Sequence, residues 1–199
     1  MLDYEKKYGK KLIAGIDEAG RGPLAGPVVC ACVVMDPGYK NDEIRDSKQL
    51  SAAARERLFD EIIKNCLSYG VSVIDNQVID EINILNATKR GMLEAYSSIK
   101  VKPDVLLVDA VKLEVDIASE AIIYGDELSF NIAAASIIAK VTRDRIMEDL
   151  DKLFPGYLFA KHKGYATREH ISILREKGPT AIHRRSFIKN LMYEQCKLW

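Results

Sequence analysis

Residues 13–35 read IAGIDEAGRGPLAGPVVCACVVM, and this stretch holds the strongest indications of the fold. The apolar run Lys11–Asp17 and the β-branched run Val28–Met35 stand on either side of a segment with three glycines and two prolines. Short apolar runs bounded by glycine and proline predict two β-strands joined by a tight loop. The acidic pair Asp17 and Glu18 therefore lies at a strand end, beside that loop.

The rest of the chain alternates between helix-like and strand-like segments. Apolar residues recur at helical spacing in Ser51–Asn65, Ile84–Ile99, Ser129–Leu150 and Thr167–Lys177. Short apolar runs predict further strands at Val71–Ile74, Val105–Asp109 and Ala121–Tyr124. Strands that alternate with helices after an opening strand pair predict a three-layer α/β fold, with helices flanking a mixed sheet. We expect one structural unit, with a core in residues 1–150 and a basic helical extension in residues 151–199.

Composition excludes several classes of protein. Hydrophobic residues make up 48% and charged residues 29% of the 199-residue chain, which is too apolar for a disordered protein. The 29 basic and 29 acidic residues balance, which excludes a uniformly basic wrapping protein. Residues 1–139 nevertheless hold 16 basic and 22 acidic residues, whereas residues 140–199 hold 13 and 7. An acidic part that binds metal ions and a basic part that binds a polyanion would fit phosphate chemistry, although an uneven solvated surface would give the same pattern.

Cysteine usage and hydropathy predict the compartment. Cys30, Cys32, Cys66 and Cys196 form no C-x-x-C pair and do not cluster with the three histidines, so neither a zinc site nor a disulfide framework is indicated. The longest unbroken apolar run has eight residues, whereas a membrane helix needs about 20. The first residues are charged and lack the apolar segment of a signal peptide. These features predict a cytoplasmic protein with reduced cysteines.

The glycine loop does not fit the common nucleotide-binding motifs. GRGPLA at residues 20–25 loosely matches the dinucleotide fingerprint, but that motif must open a helix, and here Pro27 leads into a strand. The sequence contains neither the P-loop pattern nor the G-x-S-x-G turn of serine hydrolases. What remains is a carboxylate pair beside a loop rich in exposed backbone.

Two further acids follow apolar runs: Asp109 ends VLLVD, and Asp126 follows AIIYG. Because sites in α/β sheets form at the carboxyl ends of strands, we expect four acids to converge on one edge, namely Asp17, Glu18, Asp109 and Asp126. A single acid at a strand end is more often a turn or helix cap, but four together favour a shared site. Close carboxylates repel one another unless some are protonated or divalent cations neutralise them, and hard oxygen ligands select Mg²⁺ or Mn²⁺.

The segment 161–189 contains eight basic residues, only two acidic ones, Tyr165 and all three histidines. Such a segment is typical of a nucleic-acid contact, with an aromatic ring available to stack on a sugar or base. Tyr165 taken alone would more often belong to the core. His162, His170 and His183 lack the spacing of metal ligands, and we interpret each as a phosphate contact or a structural hydrogen-bonding group.

Six segments together resemble bacterial ribonuclease HII. They follow the family's order from Ile13 to Phe187 and read IAGIDEAGRGPLAGP, DSKQL, VDA, AAASIIAKVTRDR, HKGYATREH and IHRRSF. The resemblance implies a ribonuclease H-like fold with a C-terminal helical extension. It also implies an endonuclease that cuts the RNA strand of RNA/DNA hybrids and the 5′ side of single ribonucleotides embedded in duplex DNA, leaving 3′-hydroxyl and 5′-phosphate ends.

The resemblance assigns metal binding to the same acids that the strand pattern brings together. The residues that match the family's four metal-binding carboxylates are Asp17, Glu18, Asp109 and Asp126. This match implies that two divalent ions, Mn²⁺ or Mg²⁺, act during catalysis, because paired cations stabilise both the attacking and the leaving oxygen of a phosphodiester.

The resemblance also assigns substrate contacts. Gly20, Arg21 and Gly22 match a loop whose backbone reads the 2′-OH of the ribonucleotide. Tyr165 matches a tyrosine that stacks on the next sugar, and Lys48 matches a lysine near the scissile phosphate. A glycine loop suits this purpose, since main-chain groups can approach a ribose where a Cβ would collide.

Two other functions are compatible with parts of this pattern. A noncatalytic nucleic-acid-binding protein could keep the same fold, but all four acids are present. Another metal-dependent phosphoryl-transfer enzyme, such as a DNA nuclease or an integrase-like protein, would share the carboxylates but has no use for a loop that reads a 2′-OH. We therefore expect a monomeric cytoplasmic ribonuclease that acts in DNA replication and ribonucleotide excision repair.

Overall fold

A five-stranded mixed sheet forms the centre of the computed structural model, which describes residues 4–45 and 47–193. Its strands are β1 (Ile13–Ala19), β2 (Val28–Met35), β3 (Cys66–Ile74), β4 (Val105–Asp109) and β5 (Ala118–Ile122). Their order is β3-β2-β1-β4-β5; β2 pairs antiparallel with β1 and β3, whereas β4 pairs parallel with β1 and β5. The mixed sheet predicted from the sequence is confirmed.

Helices cover both faces of this sheet. They are α1 (Ala52–Asn65), α2 (Asn76–Ser98), α3 (Gly125–Leu128), α4 (Phe130–Leu153), α5 (Phe159–His162), α6 (Arg168–Lys177) and α7 (Arg185–Tyr193), with 3₁₀ helices at Tyr4–Tyr8 and Ser47–Gln49. Every residue of β2 is buried, because α2 packs on one face of the strand and α4 on the other. This double burial explains why the sequence of β2 is apolar throughout instead of alternating. None of the helices that the structure describes is long and apolar enough to cross a membrane.

Two elements begin earlier than the sequence predicts. β3 starts at Cys66 instead of Val71. Its first residues alternate between exposed and buried positions, so they form no continuous apolar run that would predict a strand. α2 starts at Asn76, where the side chain of Asp75 caps it by accepting a hydrogen bond. Asn83 has a φ of +66° inside α2 and kinks it. Apolar residues recur at helical spacing only after the kink. The sequence therefore predicts only the second part of α2, as Ile84–Ile99.

The strand predicted at Ala121–Tyr124 is displaced toward the N-terminus. β5 ends at Ile122, and Tyr124 has a φ of +58°, so the chain turns out of the sheet there. Asp126 consequently lies in the first turn of the short helix α3 and not directly after a strand.

The helix α4 packs directly on the backbone of β1 at Gly15. A Cβ atom at Gly15 would lie only 2.2 Å from the carbonyl carbon of Asn131. The buried Asn131 side chain in turn accepts a hydrogen bond of 2.8 Å from the N–H of Met35, at the end of β2. The close contact and this hydrogen bond together set the position of α4 against the first two strands.

The cysteines pack within or beside the sheet. Cys30 and Cys32 are buried free thiols in β2, and Cys66 is a half-buried free thiol at the start of β3. Cys196 lies outside the described residues.

The C-terminal helices attach to the loop between β1 and β2. Leu24 from this loop packs with Leu174 of α6 and Ile188 of α7. Its neighbour Ala25 pairs with His183 in an isolated β-bridge. Helices α6 and α7 therefore pack against the glycine loop.

We expect Gly15→Ala to lower the free energy of unfolding by about 1–3 kcal/mol, the usual effect of forcing extra atoms into a packed core. The added methyl group would push α4 away from β1. Gly38→Ala is the matched control, since a Cβ there meets only the end of the Asp36 side chain, at 3.2 Å. Urea unfolding followed by circular dichroism measures both variants, and a Gly15→Ala protein as stable as the wild type would contradict the described contact.

Candidate functional site

Acidic side chains meet where the parallel strands β1 and β4 end. Ile16 pairs with Val108 in the parallel register, so Asp17 and Asp109 are the next residues on neighbouring strands. Glu18 follows directly in β1. The pairing of two parallel strands thus brings residues that are far apart in sequence to one edge of the sheet.

The fourth acid reaches this edge through α3. Asp109 accepts a hydrogen bond of 2.8 Å from the N–H of Gly125, the first residue of α3. Asp126 follows Gly125 and is only 3% exposed. The structure therefore brings all four acids that the sequence singles out to the same region.

The carboxylates lie close enough to raise one another's pKa. Burial raises the pKa of Asp17 well above its usual range, and the charges of Glu18 and Asp109 raise it further. Burial raises the pKa of Glu18 to about 6, with Arg21 opposing the shift and Asp109 adding to it. The pKa of Asp109 is raised by burial and by the charge of Asp126. Ionising Asp17, Glu18 and Asp109 at once is therefore unfavourable without added positive charge.

Two basic side chains lie against the acids. The Nζ of Lys48 is 2.9 Å from Oδ2 of Asp126, and Nη1 of Arg21 is 3.4 Å from Oε1 of Glu18. The Lys48 side chain is 77% exposed, so it also faces solvent. Across residues 4–45 and 47–193, no three acidic, histidine or cysteine side chains already have the spacing of a metal-ligand set. The basic side chains instead provide partial compensation for the negative charge.

The chemistry of the four acids nevertheless fits divalent cations. Oε2 of Glu18 is buried and has no hydrogen-bond partner among the described residues. A buried carboxylate oxygen without a donor is unfavourable, and a cation would remove that penalty. Carboxylate oxygens are the ligands that Mg²⁺ and Mn²⁺ prefer. The residues that could hold such ions are Asp17, Glu18, Asp109 and Asp126.

Two serines that the sequence analysis did not single out support Asp17. A hydrogen bond from Ser136 of α4 opposes the rise in the pKa of Asp17. The Oγ of Ser136 also lies 2.8 Å from Oγ of Ser47, and both serines are buried. Either hydroxyl can be the donor in this pair. The only signal in the sequence is a lone serine within the apolar run AAASIIA.

Two buried arginines donate hydrogen bonds to the backbone carbonyls of the glycine loop. Arg184 donates hydrogen bonds of 2.7–2.9 Å to three loop carbonyls, those of Gly20, Arg21 and Gly26. Arg143 donates to the carbonyls of Ala25, Pro27 and Lys163 at 3.0–3.2 Å. Both arginines are fully buried, and burial lowers the pKa of Arg184 to about 9. Arg184 lies in the segment predicted to contact nucleic acid, but its side chain is buried and supports the loop.

The two outer residues of the GRG loop have different surroundings. Gly20 has a φ of +97°, and a Cβ there would lie 2.0 Å from Nε of Arg143, so this position requires glycine. A Cβ at Gly22 would meet only Cε1 of Tyr165, at 4.0 Å. The Tyr165 ring belongs to an exposed residue and is thus the immediate neighbour of Gly22. Gly22 and Tyr165 together border open space beside the loop.

The three histidines do not face solvent. His162, His170 and His183 are buried, at no more than 7% exposure, and they contact one another. Burial lowers the pKa of all three. Their interpretation as phosphate contacts is therefore wrong, because a neutral buried ring cannot reach a phosphate. The alternative interpretation, structural hydrogen bonding, is confirmed.

Comparison with known proteins identifies close relatives. The sequence model of the family Ribonuclease HII matches residues 14–190. The ribonuclease HII of Ruminiclostridium cellulolyticum is 54% identical over 196 residues, which cover 96% of this chain and 77% of that protein. The ribonuclease HII of Caldicellulosiruptor saccharolyticus is 49% identical over 94% of this chain and 91% of that protein.

Solved structures share the fold. Ribonuclease H2 from Pyrococcus horikoshii superposes with a TM-score of 0.78 at 28% identity, over 93% of this chain and 99% of that chain. Ribonuclease HII from Archaeoglobus fulgidus, solved as a complex with PCNA, gives a TM-score of 0.73 at 29% identity, over 90% and 96% of the two chains. Bst-RNase HIII, solved with Mn²⁺, gives 0.72 at 19% identity, over 98% and 73%. These similarities confirm the ribonuclease H-like fold, and with the family match they show that this chain belongs to the ribonuclease HII family and is a metal-dependent endoribonuclease.

Proposed function

We propose that this protein cuts duplex DNA on the 5′ side of single embedded ribonucleotides, in addition to cutting the RNA strand of RNA/DNA hybrids. The observation that carries the proposal is the open space beside Gly22, in the loop that follows Asp17 and Glu18. Distinguishing RNA from DNA requires a contact with the 2′-OH. A glycine whose only close neighbour is the edge of an exposed ring lets the main chain approach a ribose closely.

The proposed metal ligands are the four buried acids, Asp17, Glu18, Asp109 and Asp126. Two divalent cations, Mg²⁺ or Mn²⁺, would supply an activated water and neutralise charge on the leaving oxygen, giving 3′-hydroxyl and 5′-phosphate ends. The protein's own contribution is to keep the carboxylates in place. The N–H of Gly125 donates to Asp109, and a hydrogen bond from Ser136 favours the ionised form of Asp17.

Exposed side chains around the acids are proposed to orient the substrate. Lys48 lies against Asp126 but is mostly exposed, and we assign it a contact with the phosphate that is cut. Tyr165 is assigned stacking on the sugar next to the ribonucleotide, which suits an exposed ring beside a flat backbone loop. The main chain of Gly20, Arg21 and Gly22 is assigned the 2′-OH contact.

The helical extension is proposed to bind the duplex. Six of the eight basic residues between 161 and 189 are exposed, namely Lys161, Arg168, Arg175, Lys177, Arg185 and Lys189. Exposed basic side chains supply the sequence-independent attraction to a phosphate backbone. We propose a monomer in which residues 1–150 perform the chemistry and residues 151–199 bind substrate. We assign the protein to the cytoplasm, in DNA replication and ribonucleotide excision repair.

We expect Asp17→Asn and Asp109→Asn each to reduce cleavage of a duplex with one ribonucleotide by a factor on the order of 10³, because each removes a charged metal ligand. Binding of the substrate should change by less than about threefold, since affinity comes mainly from phosphate contacts. Asp149→Asn, an exposed acid paired with Lys152, is the control and should keep wild-type activity. A folded Asp17→Asn protein that cuts at the wild-type rate in Mg²⁺ would overturn the ligand assignment.

Divalent cations should stabilise the protein more as the pH rises. Burial raises the pKa of Glu18 from 4.5 to about 6, so the folded, metal-free protein holds an extra proton between these values. Its free energy of unfolding therefore falls as the pH rises from 4.5 through about 6, when the buried group must ionise. Metal binding uses the ionised form. The increase in Tm caused by the metal should accordingly grow over the same range.

Thermal unfolding with and without Mn²⁺ or Mg²⁺ at pH 5 to pH 8 measures this effect, which reaches about 2.7 kcal/mol when the free ion is at 100 times its Kd. The Asp17→Asn, Asp109→Asn double variant is the control and should lose most of the shift. An equal shift in the double variant would show that the cations bind elsewhere.

We expect Gly22→Val to fold normally but to cut at single ribonucleotides at least about tenfold more slowly, because the side chain fills the space needed by the ribose. Gly20→Ala is the structural counterpart and should lose stability as well, since its Cβ would clash with Arg143. Thermal unfolding and cleavage of matched ribonucleotide and all-DNA duplexes distinguish these effects. A wild-type protein that cuts the all-DNA duplex equally well would refute the proposed selectivity.

A further inference from the structure

The chain has only three histidines, and all three form one buried cluster in the C-terminal extension. His162 ends α5, His170 lies in α6, and His183 precedes α7. The rings of His162 and His170 stack with centroids 4.2 Å apart, and Nε2 of His170 lies 3.1 Å from Nε2 of His183. The ring of Phe159 packs against all three, with centroids 5.6–5.8 Å away. Three separate segments of the extension therefore meet at these rings.

The hydrogen bonds of the cluster determine where each proton lies. Nε2 of His162 is 2.8 Å from the carbonyl of Tyr157 and must donate, while its Nδ1 accepts from the N–H of Gly164. Nδ1 of His170 is 2.9 Å from the carbonyl of Tyr165 and must donate, which leaves its Nε2 as an acceptor. One set of neutral tautomers therefore satisfies these two rings.

The third ring completes the same pattern. Nδ1 of His183 accepts from the N–H of Thr180 at 2.9 Å, so its Nε2 carries the proton and donates it to Nε2 of His170. Every ring nitrogen in the cluster then has one role, and Nδ1 of His183 has the hydroxyl of Thr180 as a second partner, also at 2.9 Å. A proton added to any ring would place two donors against each other.

The histidine cluster is hydrogen-bonded to backbone groups immediately before and after the side chain of Tyr165. His162 accepts from the N–H of Gly164, the residue before Tyr165, and His170 donates to the carbonyl of Tyr165 itself. The carbonyl of Gly164 accepts a hydrogen bond of 2.8 Å from the N–H of Leu24 in the glycine loop. On the far side, His183 forms the β-bridge with Ala25. The backbone of Tyr165 and the glycine loop are thus tied to the same three rings.

We propose that His162, His170 and His183 are positioning residues, whose fixed neutral tautomers hold the ring of Tyr165 beside Gly22 so that the ribonucleotide is aligned for cleavage. This inference rests on the proposed function, in which Tyr165 and the glycine loop contact the substrate. The histidines themselves are buried, so their role is to position Tyr165 and not to contact the substrate.

The surroundings of the cluster favour the neutral state. Burial lowers the pKa of all three rings, that of His183 to about 4. The charged groups that act on the cluster are Glu169 and Asp151 near His162 and Arg185 near His183. Glu169 and Asp151 raise the pKa of His162 and Arg185 lowers that of His183, but burial is the largest influence on all three rings.

Nitrogen NMR of the wild-type protein tests the proton assignment without any variant or activity. With three histidines in the chain, ¹⁵N-labelled imidazoles should show two rings protonated at Nε2 and one, His170, protonated at Nδ1. None should titrate at the ordinary midpoint near pH 6.5. A charged ring at pH 7, or a His170 protonated at Nε2, would overturn the proposal.

A matched pair of variants tests the positioning role. His170→Asn keeps a donor near the place of Nδ1, and His170→Gln keeps an acceptor toward His183 but has no group at the place of Nδ1. We expect His170→Gln to lower kcat on the single-ribonucleotide duplex by about tenfold, because a small displacement of Tyr165 misaligns the scissile bond. KM should change by less than about threefold, since phosphate contacts dominate binding. His170→Asn should recover most of the lost kcat.

The double variant with Tyr165→Ala separates positioning from general stability. If His170 acts through Tyr165, His170→Gln should cause no further loss of kcat in the Tyr165→Ala background. Additive losses, or equal losses in His170→Asn and His170→Gln, would show a merely structural role and overturn the inference. A wild-type protein that does not cut the substrate would refute the proposed function instead, while the NMR result would still report on the tautomers.

Discussion

Negative charge confined to one buried edge of the sheet is the constraint on which the rest of the site depends. Parallel pairing of β1 with β4 places Asp17 beside Asp109, and burial raises the pKa of both carboxyl groups. Folding must hold these groups together against their repulsion. The stability that makes this possible comes from the rest of the sheet, where β2 is buried on both faces and α4 packs against Gly15. The site is assembled by the core and is not itself a source of stability.

The glycine loop also depends on buried charge, in this case the positive charge of two arginines. Its carbonyls turn inward to Arg143 and Arg184, which are fully buried. Carbonyl oxygens satisfy the guanidinium groups without neutralising them, whereas carboxylate partners would cancel their charge. Two buried positive charges therefore remain behind a loop that follows two acids. This arrangement fixes the loop backbone and adds positive potential where a polyanion is proposed to bind.

Much of the fold and the four acids of the site can be predicted from local sequence. The buried polar contacts that support the acids and the glycine loop cannot. Val28–Met35 and Val105–Asp109 match β2 and β4 because doubly buried strands are apolar throughout. Acids that directly follow such runs are therefore easy to recognise. The kink at Asn83 and the turn at Tyr124 escape detection, because no apolar period marks them.

The roles of buried polar residues are also invisible in local sequence. Ser47 and Ser136 are 89 positions apart, and Arg184 contacts the carbonyl of Gly20 across 164 positions. Only the folded chain brings such partners together, so a basic or histidine-rich segment resembles an exposed surface until its burial is known. Backbone contacts likewise join the extension, which is proposed to bind the duplex, to the loop proposed to contact the 2′-OH. Leu24 of the loop is hydrogen-bonded on one side to Gly164 and on the other to Arg184, so the extension cannot shift without moving the loop beside the acids.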